Sequence, residues 1–204
     1  MEGIKVKLNL INALTKSNLL IYKYGFLYFA NKPRCNIHVG KQGTSNTKFP
    51  IMIDSLASQS LNMGNHVYIG KNLMLIMVSF HNSGLLSVKS PALSKIESDQ
   101  KGEIRIGSDV WIGDNVTLIC TGINIGNGVV IGANSLIPSG KKLDDYGIYA
   151  GVPVRLIRYR FSKEVIRKLL ELKWWDIPKE RLPQEIFNDT DINSVIRKLE
   201  SIRA

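Results

Sequence analysis

The chain has 204 residues, 44% of them hydrophobic, with 27 Lys and Arg against 17 Asp and Glu. That composition suits one domain with a modest appendage and excludes a disordered chain, which would carry far less apolar material. The formal charge of +10 points to an acidic partner, whether nucleic acid, anionic lipid or a small phosphorylated ligand, and charge alone does not choose among them.

Nucleic acid is not expected, because no recognition-helix pattern, aromatic ladder or zinc knuckle is readable. Cys35 and Cys120 lie far apart without CxxC spacing. Two reduced thiols in a cytosolic protein are therefore expected rather than a disulfide framework or a zinc site, and no metal is expected elsewhere.

In chain order, the apolar stretch from Leu8 to Ala30 is broken by Lys16 and Lys23, so no uncharged run reaches the roughly 18–20 residues of a membrane span. No signal-peptide pattern is read at the start. Residues 1–36 are expected to form a helical and irregular lead-in. Its helix, around Leu14 to Phe29, either packs on the domain or lies at a membrane interface.

From residue 37 an internal repeat takes over. Val39, Ile51, Ala57, Met63, Ile69 and Leu75 fall on one period of six, with Ser45 as its weak member. A second series runs Ile106, Ile112, Leu118 and then Ile125, Ile131, Ile137, and its one seven-residue step reads as an insertion at a corner. Positions six apart lie about 240° around an α-helix, so a helix cannot use this period, and a hairpin meander would alternate every two residues.

A triangular coil with one hexapeptide per side satisfies the pattern. The aliphatic residue points inward and Gly or a polar pair takes the corner. The small residues four places on (Val110, Val116, Val129, Ser135) suit a narrow interior, and stacked coils bury their apolar faces against each other. The predicted class is therefore mainly β: a parallel β-helix over 37–160, interrupted by a long loop at about 80–102. Residues 161–204 are predicted to be a helical cap for the open end. Ser162 is the expected N-cap of its first helix, Trp174-Trp175-Asp176-Ile177-Pro178 the closure, and Asp191 to Arg203 a second helix.

Within the repeat, Ile106-Gly107-Ser108-Asp109-Val110-Trp111-Ile112-Gly113, Ile131-Gly132-Ala133-Asn134-Ser135 and Gly151-Val152-Pro153-Val154-Arg155-Leu156-Ile157-Arg158 resemble the final coils and cofactor-binding strand of the hexapeptide-repeat acyltransferases. The last of these is similar to galactoside acetyltransferases. The segment from Phe161 to Pro178 is similar to the xenobiotic acetyltransferase branch. The resemblance covers about residues 60–180. It implies a left-handed coil, a homotrimer with sites between subunits, and acetyl-CoA as acyl donor.

It further implies that Trp111, Ala133, Arg155 and Arg158 line the CoA groove. Lys141 is taken as a phosphate-facing cation, although this chain reads Ile137-Pro138-Ser139-Gly140-Lys141-Lys142 where many relatives continue Val-Thr-Lys-Asp. A small residue at 133 would let the pantetheine arm pass close to the backbone. The two arginines suit a pyrophosphate or 3′-phosphate.

Of the three histidines, His38 has no evident helper and His66 falls inside a regular hexapeptide, where a solvated or interface position is expected. His81 stands where the first series stops and the loop begins, matching the family's general base. An imidazole titrating near pH 6.5 can take the proton from an attacking hydroxyl or amine at neutral pH. Backbone N–H groups would hold the oxyanion.

The expected activity is acetyl transfer to a sugar hydroxyl, or amine, of a bacterial surface polysaccharide or its precursor, close to membrane-bound assembly. Antibiotic acetylation is the alternative enzyme. A non-catalytic β-helix scaffold is the alternative of another class.

Overall fold

The computed structural model describes residues 19–22, 25–29, 34–40, 51–54, 58–76, 102–119 and 122–203. Within them the chain visits three sheets in rotation. One coil consists of β5 (Ser58–Met63), β6 (Tyr68–Ile69) and β7 (Met74–Ile76). The next consists of β8 (Gly102–Ile106), β9 (Trp111–Ile112) and β10 (Thr117–Ile119), and a third of β11 (Ile123–Ile125), β12 (Val130–Ile131) and β13 (Leu136–Ile137). β14 (Lys142–Leu143) and β15 (Gly147–Ala150) end the series.

Counterparts in successive coils pair in parallel. The first sheet holds β7, β10 and β13, the second β5, β8, β11 and β14, and the third β6, β9, β12 and β15. Ile69, Ile112, Ile131 and Tyr149 stand in one register, and Leu75, Leu118 and Ile137 in another. Met63, Ile106, Ile125 and Leu143 form the third.

Nearly all these registered residues point inward and are buried, Ile112, Leu118, Ile131 and Ile137 completely. Val110, Val116, Val129 and Ser135 are buried with them, as a narrow three-sided interior requires. The core is a dry column of aliphatic layers, each covered by the coil above and the coil below.

The corners are as tightly constrained as the core. A Cβ placed on Gly113 would lie 2.6 Å from the Ala133 backbone nitrogen, and one on Gly107 2.8 Å from that of Asn127. At the third-to-first corner Asn72, Asn115 and Asn134 adopt left-handed backbone and bond to one another in a ladder of 3.0 and 3.1 Å. Asparagine suits such positions because its short amide tolerates positive φ.

Coil length varies at one corner. From inward residue to inward residue, every second-to-third passage from Met63 onward takes six residues, as does every third-to-first passage from Ile69 onward. The first-to-second passage takes thirty-one from Leu75 to Ile106 and seven from Leu118 to Ile125.

The early coil departs from the expected phase. β4 (Ile51–Asp54) places Ile53, not Ile51, opposite Leu75, so Ile51 is two residues off register. β3 (Arg34–Val39) keeps Val39 opposite Met63, but 24 residues separate them. A multiple of six thus survived there by coincidence of a longer coil. Ser45, Ala57 and the long loop lie outside the described residues.

The expected N-terminal helix is also corrected. Leu19–Tyr22 is β1 and Gly25–Phe29 is β2, an antiparallel pair whose second strand joins β4 in parallel. Gly25 disfavours a helix, and the aromatic and β-branched content of both segments favours an extended edge.

After β15 the chain reverses into β16 (Arg155–Tyr159), antiparallel to it. Ser162 then caps the helix Lys163–Leu172, as expected, by accepting from the Val165 N–H. A 3₁₀ turn at Trp174–Asp176 and two more turns lead to the helix Ile192–Arg203.

These helices lie along the second-to-third corner, against turns of successive coils. His66, Asp109, Gly128 and Tyr146 are the left-handed positions stacked there. Tyr146 packs with Leu169, Leu172, Trp175 and Leu199 in a second apolar core. No helix among the described residues is long and apolar enough to cross a membrane.

The stacking makes two substitutions informative. Gly113→Ala should lower the melting temperature, because the added methyl meets backbone that cannot rotate away. Leu118→Ala, at a fully buried position, should cost about 2–5 kcal/mol in a urea titration.

Candidate functional site

The outer face of the third sheet carries an unusual row. Tyr68, Trp111, Val130, Ile148 and Arg158 are successive neighbours across β6, β9, β12, β15 and β16. Strand alternation sends Ile69, Ile112, Ile131 and Tyr149 inward and leaves this row outside. Trp111 is 57% exposed and Tyr68 47%. Leu156, Ile157 and Tyr159 extend the exposed apolar surface along β16. Solvated aromatics in such number mark a contact surface.

Arg155 and Arg158 are exposed on β16, Arg155 opposite Ala150 and Arg158 opposite Ile148. Strands lie about 4.8 Å apart, so Arg158 is three steps, about 14 Å, from Trp111. Ala133 is exposed at the third-to-first corner, stacked on Gly113 and close to Ala150, since a Cβ on the adjacent Gly132 would lie 3.0 Å from that of Ala150. Trp111, Ala133, Arg155 and Arg158 are thus gathered on one side of the coil.

Lys141 is not. It follows Gly140 at the first-to-second corner, across the first sheet from Ala133, where its N–H donates to Pro138 and its carbonyl accepts from Asn124. His81 lies outside the described residues. A concavity of about 640 Å³ on the outer face of the second sheet is lined by groups including Asn62, Glu103, Arg105 and Asn124 and contains none of these candidates.

The second-to-third corner holds groups that the sequence did not single out. A solvated or interface position is expected for His66 from its hexapeptide; it is buried within the chain, because Trp174 covers it with ring centroids 4.7 Å apart. Its Nε2 has no hydrogen-bond partner among the described residues. Burial, reinforced by the Lys179 charge, holds its pKa below the usual histidine value.

One turn along, Arg160 Nη1 donates to Asp109 at 2.9 Å and to the Gly128 carbonyl at 2.8 Å. Burial raises the Asp109 pKa, and the attraction and hydrogen bond of Arg160 work against that rise. The same guanidinium lies 5.3 Å from the ring centres of Tyr146 and Phe161. Gly128, at φ +68°, has room for no side chain, because the Tyr146 ring occupies that space. The Trp-Trp-Asp segment was a visible signal for part of this. The pairing of residue 66 with residue 174 was not.

No family model matches the chain. Known relatives do. A 102-residue segment is 43% identical to a "Probable macrolide acetyltransferase" of Lysinibacillus sphaericus, covering 50% of this chain and 53% of that one. A chloramphenicol acetyltransferase of Escherichia coli is 43% identical over 98 residues, 47% of this chain and 45% of that one. A galactoside O-acetyltransferase of Lactococcus lactis is 28% identical over 131 residues, 64% and 56% of the two. Among solved structures, a maltose O-acetyltransferase from Clostridium difficile aligns over 70% of each chain at 25% identity, but with a TM-score of 0.48. The fold therefore rests on the strand pairing itself.

The molecule is thus a three-sided parallel coil whose matched relatives are acetyltransferases. Its similarity is to the hexapeptide-repeat acyltransferases, in both their xenobiotic and galactoside branches. The chain spans about half the length of the curated relatives it matches.

The buried histidine gives a pH signature. Because its folded pKa is depressed, the unfolded chain binds a proton first as pH falls. Stability from this site is complete above about pH 6.5 and is lost as pH drops below that value toward the folded pKa. Melting temperatures measured from pH 7.5 to 5 should fall across that window. His66→Asn, which keeps a residue tolerant of φ 55°, should flatten that part of the curve.

Proposed function

We propose that this chain is an acetyl-CoA-dependent acetyltransferase acting on a sugar hydroxyl, or amine, of a surface polysaccharide or its precursor. The observation carrying this reading is the registered row on the third sheet. Two guanidinium groups stand at one end, aliphatic side chains in the middle and two exposed aromatics at the other. That sequence of surfaces suits a thioester carrier with a phosphorylated head and a thin, largely apolar arm.

In this reading Arg155 and Arg158 hold the phosphates, the arm passes Ala133, and Trp111 walls the acyl end. His81 removes the acceptor proton as the hydroxyl attacks the thioester carbonyl, and the CoA thiolate leaves. No covalent enzyme intermediate is needed. Lys141, at the opposite corner of the first sheet, serves a groove shared with a second subunit. The assembly is a cytoplasmic homotrimer of left-handed coils, and the exposed Trp111, Leu156 and Ile157 face a neighbouring subunit.

Antibiotic acetylation is a second reading. It is favoured by the macrolide and chloramphenicol acetyltransferases among the relatives, which share more identity with the matched segment than the galactoside enzyme does.

Release of free thiol from acetyl-CoA in the presence of hexopyranosides, and separately of chloramphenicol, decides between the two. Turnover with the sugars alone is expected. His81→Ala should lower kcat by about 10²–10⁴-fold while acetyl-CoA still raises the melting temperature. Unchanged turnover would remove His81 from the mechanism. Arg155→Ala should raise the KM for acetyl-CoA about tenfold and leave kcat nearly intact. If acetyl-CoA gives neither turnover nor a thermal shift, the coil is a scaffold.

A further inference from the structure

Between the second-to-third corner and the C-terminal helices lies a cavity of about 300 Å³. Aromatic rings from both sides line it: Tyr68 from β6, and Trp174 and Phe187 from the C-terminal segment. So do three charged groups, Asp109, Arg160 and Asp189. The volume is at the lower end of the range for small-molecule sites, enough for a single ring.

We infer that this cavity is a sugar-binding subsite, receiving a pyranose ring of the acceptor beside the ring that is acetylated. The inference rests on the acetyl-transfer reading for the identity of the ligand as acceptor, and on the cavity's own chemistry for the ligand's class. A pyranose presents C–H faces and a rim of hydroxyls. The faces suit the electron-rich faces of aromatic rings, and the hydroxyls, each both donor and acceptor, suit carboxylates and guanidinium groups. An apolar drug ring would cover the Asp109–Arg160 and Asp189–Lys198 pairs without offering their remaining donors and acceptors a hydrogen bond.

Four features indicate that the lining is not merely packing. Phe187 is 51% exposed and Tyr68 47%, although burying such a ring is worth roughly 1.5–3 kcal/mol. Arg160 satisfies Asp109 and Gly128 through Nη1 alone. His66, more than nine-tenths buried, lines the same cavity with an Nε2 that has no partner among the described residues. Buried polar atoms without partners are rare enough to require an explanation. Asp189 is anchored by Lys198 at 2.7 Å, which holds its carboxyl down at about 2, so it is an acceptor at every physiological pH.

Position ties the cavity to the proposed reaction. Tyr68 lines it and is also the strand neighbour of Trp111. One residue of the cavity wall, Tyr68, therefore stands one strand step, about 4.8 Å between backbones, from the residue placed at the acyl end. A linked pair of sugars with its reacting hydroxyl near Trp111 would have its other ring there.

Saturation-transfer NMR on the full chain, with methyl β-galactoside, lactose and maltotriose as probes and chloramphenicol as the aromatic comparison, tests this directly. The two oligosaccharides should bind. Phe187→Ala, at a half-exposed position with little folding role, should weaken them about tenfold, the loss of one ring contact. The single sugar should change less. In turnover assays the same variant should raise the oligosaccharide KM about tenfold and leave kcat and the KM for acetyl-CoA unaltered.

Oligosaccharide binding sensitive to Phe187 without acetyl transfer would keep the subsite and overturn the acetyltransferase reading. Transfer with an unchanged oligosaccharide KM in the variant would overturn the subsite alone. The subsite also falls if no saccharide binds at tens of millimolar, or if only chloramphenicol responds to Phe187→Ala.

Discussion

The molecule depends on how closely one coil lies on the next. Backbone meets backbone at the glycine corners, where even a methyl group would come within 2.6–2.8 Å of the next turn. That contact sets the inter-coil spacing and so brings Ile112, Ile131 and Tyr149 into a single register. The same spacing turns the outward residues into straight rows. Tyr68, Trp111, Val130 and Ile148 are therefore ordered along the coil axis by hydrogen bonding between strands, without help from any loop.

The C-terminal segment uses that order for a different purpose. Residues at equivalent corner positions in four coils present a column of dissimilar groups: an imidazole, a carboxylate, a bare glycine and a phenol ring. The C-terminal segment answers each in turn: Trp174 covers His66, Arg160 holds Asp109 and Gly128, and the helices pack on Tyr146. Arg160 is the pivot of this arrangement, because it joins Asp109, Gly128 and the aromatic rings of Tyr146 and Phe161. The desolvation of Asp109 is opposed locally by that one cation.

The later coils were legible because their period is unbroken and their inward residues are aliphatic. Ile106 to Ile137 read from sequence as they pair in space. The early coil was less legible, since 24 residues between Val39 and Met63 preserve the arithmetic of six while shifting the strand between them, so Ile51 stood in for Ile53. Leu19–Tyr22 and Gly25–Phe29 read as a helix because their apolar content is high and β4, the strand that joins the second of them to the coil, is remote in sequence.

For the site, the side of the coil bearing Trp111, Ala133, Arg155 and Arg158 followed from motif resemblance. The separation of Lys141 from them did not, because a linear motif does not show which corner a residue turns. His66 was misjudged for a related reason. Its burial is caused by a tryptophan 108 positions later, which no local pattern reveals.

From Met63 onward, the confinement of irregular length to one edge has an evolutionary consequence. Two edges of the prism are fastened, one by its asparagine ladder and the other by the helices laid against it. Insertions there would break contacts in several layers at once. The remaining edge accepts one extra residue or two dozen with the layers on either side still in register. New segments can therefore be grafted at that edge, one by one, while the layered scaffold and its other two edges stay as they are.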